Sequence, residues 1–213
     1  MKEKYRTMMK TPLVLDLIIP VYNNKKGLIS TILSFGDFSI LEDWKINILV
    51  VDDCSTVDTY EDIPGRFQDF YNIKVLKTPK NGGPGAARQH GVENTSGDYI
   101  MFIDAGDYIT TFQSFCYYLS LVKNNPQVYM FSAAQEEGYS DFTVDYITPD
   151  HNRIHGKIYK RNFLKQYNIT FPKDIISLNE DIGFNSCCRL ICEDRTIKDN
   201  FNYLIEYEPV VIT

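Results

Sequence analysis

Long apolar runs are missing from this sequence: no stretch approaches the roughly 20 residues that cross a bilayer. The basic segment before Pro12 also lacks the apolar core of a secretory signal peptide. Basic residues are in the minority, with 22 Lys and Arg against 28 Asp and Glu, and the net charge of −6 argues against a nucleic-acid-binding surface. We expect a cytoplasmic protein, at most peripheral at the membrane, with no transmembrane segment and no nucleic-acid partner.

Paired cysteines are also missing, because the five cysteines include no Cys-X-X-Cys pair. Cys188 and Cys192 are one helical turn apart, a spacing that suits a metal, but nothing adjacent supplies the remaining ligands. We interpret these two cysteines as buried core thiols, and the cysteine usage as that of a protein in a reducing cytoplasm.

Apolar residues are plentiful, at 44% hydrophobic and 14% aromatic, so the 213 residues can form a genuine core. Apolar runs typical of strands covered on both faces occupy residues 13–21 and 46–51, and further strands are predicted at 73–76 and 98–103. Helical patterns at 25–35, 57–70, 86–94 and 110–123 alternate with them, the third opened by a glycine-rich turn at 81–85, and another strand is predicted at 127–133. This order predicts a doubly wound, mostly parallel α/β sheet with ligands at the carboxyl ends of its strands.

The pattern changes after residue 134. Residues 139–148 alternate polar and apolar positions, which predicts a partly exposed antiparallel strand. Helices are predicted at 160–166 and 179–192, and the tail at 201–213 resembles a strand. No linker is visible, so we predict one domain, 1–213, with a nucleotide-binding half at about 11–133 and an acceptor-side half at about 134–213.

Two polar clusters follow the first two predicted strands. The first is Pro20-Val21-Tyr22-Asn23, and the second is Asp52-Asp53-Cys54-Ser55-Thr56. Carboxylates at a strand end can accept hydrogen bonds from a nucleobase or ribose. Helix capping by the second cluster is the alternative interpretation.

A third cluster is glycine-rich and runs Asn81-Gly82-Gly83-Pro84-Gly85-Ala86-Ala87-Arg88. It is neither a Walker P-loop nor a Rossmann fingerprint. Its glycines permit close backbone approach, Pro84 suits a first helical turn, and Arg88 one turn later can reach a phosphate or a base. An ordinary loop-to-helix junction would have the same features.

The fourth cluster, Asp104-Ala105-Gly106-Asp107, directly follows an apolar strand. Two carboxylates on a sharp turn repel each other unless a cation or hydrogen bonds offset the charge. Hard oxygen ligands suit Mg²⁺ or Mn²⁺, which also take oxygens from phosphates. A simple Asp/Gly turn is the alternative.

Together these residues resemble the family 2 inverting glycosyltransferases, which have the GT-A fold. The similarity runs through LDLIIPVYNN, ILVVDDCSTVDT, NGGPGAARQHGVENTSGDYIMFIDAGDY, HGKIYKRNFL and NEDIGFN, over roughly residues 13–190. The resemblance implies transfer of a sugar from a nucleotide-sugar donor, UDP-linked in most relatives, to an acceptor hydroxyl in glycan or polysaccharide synthesis. It also implies a divalent cofactor, Mn²⁺ or Mg²⁺.

The resemblance assigns roles to individual positions. The implied nucleotide site consists of Pro20, Val21, Tyr22, Asp52, Asp53, Gly83, Arg88, Asp104 and Ala105. Asp104 and Asp107 are the implied metal-binding residues, with Asp107 as the direct ligand. Asp181 is the implied catalytic base. The residues alone favour a simpler interpretation, in which Glu180 and Asp181 stabilise the N-terminus of a helix.

Two positions depart from the family pattern. Gly106 stands where relatives often have a further aspartate, which predicts weaker metal affinity, and Cys54 stands where relatives often have glycine. A basic loop before the last helix is predicted to contact the sugar, diphosphate or acceptor, or else to be solvated; it contains His151, Arg153, His155, Lys157 and Lys160. Three aromatic residues, Trp44, Tyr117 and Tyr118, are expected in the core.

Two other functions are compatible with parts of the pattern. A sugar nucleotidyltransferase would need basic residues directly after the first strand, where Tyr22-Asn23-Asn24 stands. A non-catalytic sugar-nucleotide-binding subunit of a glycan-assembly complex would explain the missing carboxylate at position 106.

Overall fold

The computed structural model describes residues 11–109, 111–123, 128–130, 133–137, 143–147, 154–172, 180–192 and 210–212. The strands are β1 Leu13–Val21, β2 Trp44–Asp52, β3 Asn72–Lys77, β4 Tyr99–Phe102, β5 Val128–Met130, β6 Ala133–Glu137, β7 Thr143–Ile147, β8 Lys157–Lys160 and β9 Val210–Ile212. The α-helices are α1 Lys25–Leu33, α2 Ile63–Phe67, α3 Gly83–Glu93, α4 Phe112–Val122, α5 Arg161–Gln166 and α6 Glu180–Ile191. Within these ranges no helix combines the length and apolar character that a membrane crossing requires.

Six strands form the main sheet, in the order β3-β2-β1-β4-β8-β5. The first four are parallel, and β8 runs antiparallel to both β4 and β5. A second sheet has the order β7-β6-β9, with β6 antiparallel to β7 and parallel to β9. The predicted mostly parallel α/β sheet with a small antiparallel C-terminal portion is confirmed, and the parallel pairing of β9 with β6 is the one feature of that portion that the prediction did not include.

Strand β1 is the centre of the sheet, and its side chains alternate between two hydrophobic cores. Leu15, Leu17 and Ile19 are buried in the core on one face, and Ile18 is buried in the core on the other. Both faces are covered, which explains why the strand sequence is apolar almost throughout. Asp16 is the buried exception, and its carboxylate accepts hydrogen bonds from the Gly97 and Ser96 amides and the Asn47 side chain.

The strand order places a crevice beside the carboxyl end of β1. The chain goes from β1 to β2 and β3 on one side and returns to β4 on the other, which is the switch point where α/β sheets bind ligands. Strand-like hydrogen bonds continue past the strand ends, from Asp53 N to the Val21 carbonyl at 2.9 Å and from Ile103 N to the Ile18 carbonyl at 3.2 Å. Three of the four polar clusters are therefore aligned along one edge of the sheet.

The segment predicted as a helix over 57–70 is mostly irregular, and α2 covers only Ile63–Phe67. Side chains hold the first part of the segment in a loop: the Asn23 amide oxygen accepts from the Thr56 and Val57 amides, and the Tyr60 hydroxyl accepts from Asn24 N. Pro64 then restricts the start of the helix, because proline fits only the first turn.

Two expectations about burial are corrected. Trp44 and Tyr118 are buried as expected, but Tyr117 is 40% exposed because successive helical residues point about 100° apart. Of the five cysteines only Cys188 is buried; Cys187 is exposed, and the other three are intermediate. Cys188 is therefore a buried core thiol as expected, whereas Cys192 is only partly buried.

Candidate active site

A cavity of about 270 Å³ opens at the carboxyl end of β1. It is lined by Pro20, Val21, Tyr22, Asn24, Asp53, Asn81, Gly83, Pro84, Ala87, Asp104 and Ala105. Seven of the nine residues predicted for the nucleotide site are in this lining, and Asp52 and Arg88 are outside it. Residues from all four sequence clusters therefore line the same cavity.

Asp53 shapes the glycine-rich turn below this cavity. Its buried carboxylate accepts hydrogen bonds from the Thr78 hydroxyl at 2.8 Å, from Gly83 N at 2.7 Å, and from Gly82 N at 3.1 Å. Gly83 has φ of +81°, a left-handed conformation that glycine adopts without a steric penalty. Asp53 thus fixes the shape of one cavity wall, in addition to the ligand contact predicted for it.

Asp52 has a different function in the fold, although it is the neighbouring carboxylate. Its Oδ1 accepts from Ser55 N at 2.7 Å, and its Oδ2 is 3.3 Å from the Lys77 ammonium. These contacts bend the chain directly after β2. The two adjacent aspartates therefore act on different turns, a distinction that the dipeptide itself does not reveal.

Cys54, at this bend, has φ of +60°. Left-handed backbone costs a residue with a Cβ about 1–2 kcal/mol, a penalty that glycine avoids. We expect Cys54→Gly to raise the free energy of unfolding by about 0.5–1 kcal/mol, since relief of strain exceeds the extra entropy of the unfolded chain. Urea unfolding measures the change.

The same substitution at Cys187 is the matched control. Cys187 is exposed in the middle of α6, where glycine is expected to lower the free energy of unfolding by about 0.5 kcal/mol. Equal changes at both positions would contradict the assignment of backbone strain to Cys54.

Residues at both ends of α1 hydrogen-bond to the acidic turn after β4. Asn24 caps α1 by accepting from Gly27 N, and its amide nitrogen donates to the Ala105 carbonyl at 2.9 Å. The Thr31 hydroxyl accepts from Gly106 N at 2.9 Å. Asn24 also lines the cavity, and sequence reasoning missed it because an asparagine before a helix is ordinarily only a cap.

The backbone conformation of Gly106 explains why the acidic turn has no aspartate at this position. Its φ of +114° lies in a region that glycine alone adopts readily, so a side chain here would strain the turn. The backbone, rather than a crowded neighbour, excludes the aspartate, since the nearest atom to a Cβ built at this position is 3.8 Å away.

Asp104 and Asp107 lie beside a histidine. One ligand atom from each of Asp104, Asp107 and His155 can be chosen so that all three lie within 4.8 Å of one another, and His155 Nδ1 is 3.3 Å from Asp107 Oδ2. Ligands of an octahedral Mg²⁺ are about 3–4 Å apart, so a small contraction would complete three corners of a metal site. The two carboxylate oxygens are donors that Mn²⁺ and Mg²⁺ favour, whereas the imidazole suits Mn²⁺ better than the harder Mg²⁺.

The pKa shifts of Asp107 and His155 also favour cation binding at this cluster. Burial, and secondarily the charge of Asp104, raises the pKa of Asp107 to about 8, against a smaller lowering by Arg88. Burial lowers the pKa of His155 below its ordinary value, which leaves the imidazole neutral and able to coordinate at pH 7. A bound cation would offset the cost of ionising Asp107 in this setting.

Arg88 is buried behind the acidic turn. Its Nη2 donates to both Asp104 carboxylate oxygens, at 2.7 and 2.9 Å, and its Nη1 donates to Glu180 Oε1 at 2.7 Å. Burial alone would lower the pKa of Arg88, but the two carboxylates outweigh it and raise the pKa. Arg88 thus reaches the site through Asp104, and its predicted nucleotide contact stays a prediction.

Asp181 and Glu180 begin α6 and are directed to different neighbours. Glu180 is 5% exposed and paired with Arg88, whereas Asp181 is partly exposed and close enough for its charge to act on the pKa of His155. Both acids also favour the positive end of the helix dipole. Of the basic loop, His155 joins the acidic cluster, while His151 and Arg153 lie outside the described residues.

Known proteins resemble this chain over most of its length. The family described as "Glycosyl transferase family 2" matches residues 16–188. Poly(ribitol-phosphate) beta-N-acetylglucosaminyltransferase TarS of Staphylococcus aureus (strain MW2) is 25% identical over 181 residues, which are 78% of this chain and 31% of that protein. Poly(ribitol-phosphate) beta-glucosyltransferase of Bacillus spizizenii is 28% identical over 202 residues, which are 89% of this chain and 31% of that protein.

A solved structure shares the fold. The crystal structure of S. aureus TarS 1–349 in complex with UDP superimposes with a TM-score of 0.66 at 24% identity, covering 81% of this chain and 54% of that chain. This likeness confirms the GT-A type of fold. The chain spans about a third of the length of the curated relatives it matches.

Proposed function

The chain belongs to glycosyl transferase family 2, and from this premise we propose that it moves a sugar from a UDP-sugar to an acceptor hydroxyl with inversion of the anomeric carbon. The relatives named as poly(ribitol-phosphate) transferases suggest an acceptor that is a glycan or a polyol-phosphate polymer. A divalent cation and an aspartate base complete the proposed site.

One observation supports this proposal above the others: the cavity beside β1 shares Asp104 with the Asp104-Asp107-His155 cluster. A nucleoside that occupied the cavity would extend its diphosphate towards that carboxylate. A cation held there would neutralise charge on the departing diphosphate.

The cavity walls suit the parts of a uridine nucleotide. Tyr22 is 46% exposed at the lining, so its ring is available to stack on a base. Asn81 and Asn24 add amide groups for polar contacts, and the Gly83 backbone allows close approach. Since Asp53 already accepts three hydrogen-bond donors of its own chain, its ligand contact would be an additional one.

Asp181 is the proposed base because the family resemblance implies this role for it and because its side chain is partly exposed. In an inverting displacement the base must face the acceptor hydroxyl on the side opposite the leaving group. Glu180 cannot serve as the base in this arrangement, because Arg88 occupies its carboxylate.

Calorimetric titration with UDP, with and without Mn²⁺, tests the proposal. We expect Mn²⁺ to tighten UDP binding about tenfold or more, since the cation would bind both the protein carboxylates and the diphosphate oxygens. Uridine monophosphate is the control ligand, and its affinity should respond much less to Mn²⁺ because the second phosphate is missing.

Turnover is tested separately with a panel of UDP-sugars, by measuring UDP release with and without an acceptor polymer. Release that increases with acceptor supports a transferase. Tight UDP binding without release from any donor would instead support a non-catalytic binding subunit, and absence of UDP binding would refute the proposed site.

A further inference from the structure

Glu180 lies outside the described lining of the cavity and outside the Asp104-Asp107-His155 cluster, yet it belongs to a buried chain of charges that ends at Asp104. We propose that Glu180 is a positioning residue, which through Arg88 keeps the Asp104 carboxylate oriented and available for the cation. This inference rests on the proposed function, because it presumes a cation at Asp104.

Arg88 makes short hydrogen bonds to both of its carboxylate partners. Arg88 donates to Glu180 Oε1 at 2.7 Å and to the two Asp104 oxygens at 2.7 and 2.9 Å. The Arg88 and Glu180 side chains are 4% and 7% exposed, whereas the Asp104 side chain is 34% exposed. The Arg88–Glu180 ion pair is therefore shielded from water, whereas the Asp104 carboxylate keeps an accessible side for a cation.

The charges explain why a remote carboxylate would affect the metal. Arg88 carries one positive charge between two carboxylates, so Glu180 offsets it and leaves Asp104 with net negative character. If Glu180 lost its charge, Arg88 would interact with Asp104 alone and would compete with the cation for the same oxygens. Such competition is strong here because few waters screen the buried guanidinium.

The fold leaves room for Glu180 by means of Gly85 in α3. A Cβ built on Gly85 would be 2.6 Å from Glu180 Cγ and 3.1 Å from Glu180 Cβ, so any side chain at this position would displace the glutamate. Gly85→Ala therefore perturbs the position of Glu180 without changing any charge. Gly65 in α2 offers a matched control, since a Cβ there meets nothing within 4 Å.

The experiment measures Mn²⁺ binding directly, by electron paramagnetic resonance of free Mn²⁺, for protein that circular dichroism shows to be folded. We expect Glu180→Gln to weaken Mn²⁺ binding about tenfold, as contacting charges do when they are coupled. UDP binding measured without metal should be unchanged. Gly85→Ala should weaken Mn²⁺ binding in the same direction, and Gly65→Ala should leave it unchanged.

A double variant distinguishes positioning from a merely structural contribution. If Glu180 acts through Asp104, Glu180→Gln should cause no further loss of Mn²⁺ affinity in protein that already carries Asp104→Asn. Wild-type Mn²⁺ affinity in folded Glu180→Gln and Gly85→Ala would overturn the inference and leave the proposed function intact. A wild-type protein that binds Mn²⁺ neither alone nor together with UDP would overturn both this inference and the proposed cation site.

Discussion

Replacing Asp181 with asparagine is expected to lower kcat by about 100- to 10,000-fold, the range that general-base catalysis supplies. Asparagine has nearly the same shape as aspartate but cannot accept the proton of the acceptor hydroxyl. UDP affinity with and without Mn²⁺ should be unchanged, because Asp181 is outside the described lining of the cavity. Steady-state kinetics of UDP release, together with calorimetry, measure both quantities.

Asp69→Asn is the matched control for this prediction. Asp69 is exposed just after α2, so the same loss of charge should have no effect on kcat there. Normal transfer by Asp181→Asn would refute the assignment of the base. A joint loss of transfer and UDP binding would instead indicate that Asp181 shapes the donor site.

The second large effect is expected at Asp107. Asp107→Asn should abolish the increase in UDP affinity that Mn²⁺ causes, while UDP binding without metal persists. The reason is that Asp107 supplies a buried carboxylate to the Asp104-Asp107-His155 cluster, and an amide oxygen is a far weaker ligand for a hard cation. An undiminished Mn²⁺ response in this variant would exclude Asp107 as a metal ligand.

The pH dependence provides an independent check of the same carboxyl. Because the pKa of Asp107 is raised to about 8, protons compete with the metal below that pH. Mn²⁺ affinity of the wild type should therefore rise with pH up to about 8, and the component due to Asp107 should be absent in Asp107→Asn.

Stability without metal should show the opposite trend. An aspartate whose pKa rises from 3.8 when unfolded to about 8 when folded stabilises the fold at low pH and loses that contribution as the pH rises through this interval. Metal-free wild type should lose stability from about pH 4 to about pH 8, and Asp107→Asn should lose less. The variant is thus expected to be folded under the conditions in which its metal response is tested.

The strands of the sheet and the polar residues that follow them could be predicted from the sequence, because both are marked by local patterns. Apolar runs marked β1, β2 and β4 because strands buried on both faces need apolar side chains at nearly every position. Since parallel strands end at a common edge, the polar residues after those strands could be expected to meet at one site. The order of the motifs identified the family before any contact was known, and the family match confirms it.

Pairing between distant side chains could not be predicted in this way. Arg88 and Glu180 are 92 positions apart, and nothing in either segment states that one will neutralise the other. His155 is likewise one of several basic residues in its loop, and only the packing of that loop against the turn after β4 selects it as a neighbour of Asp107.

The sequence by itself determined the sheet, the family and the set of residues from which a donor site can be built, because burial patterns and strand ends are local properties of the chain. Only the tertiary structure decided which carboxylates are buried and paired. Glu180 and Asp181 are adjacent acids with similar chemistry, and the packing of α6 against α3 buries one against Arg88 and leaves the other accessible. Charge pairing depends on distance in space, and distance in space is established only when the elements pack.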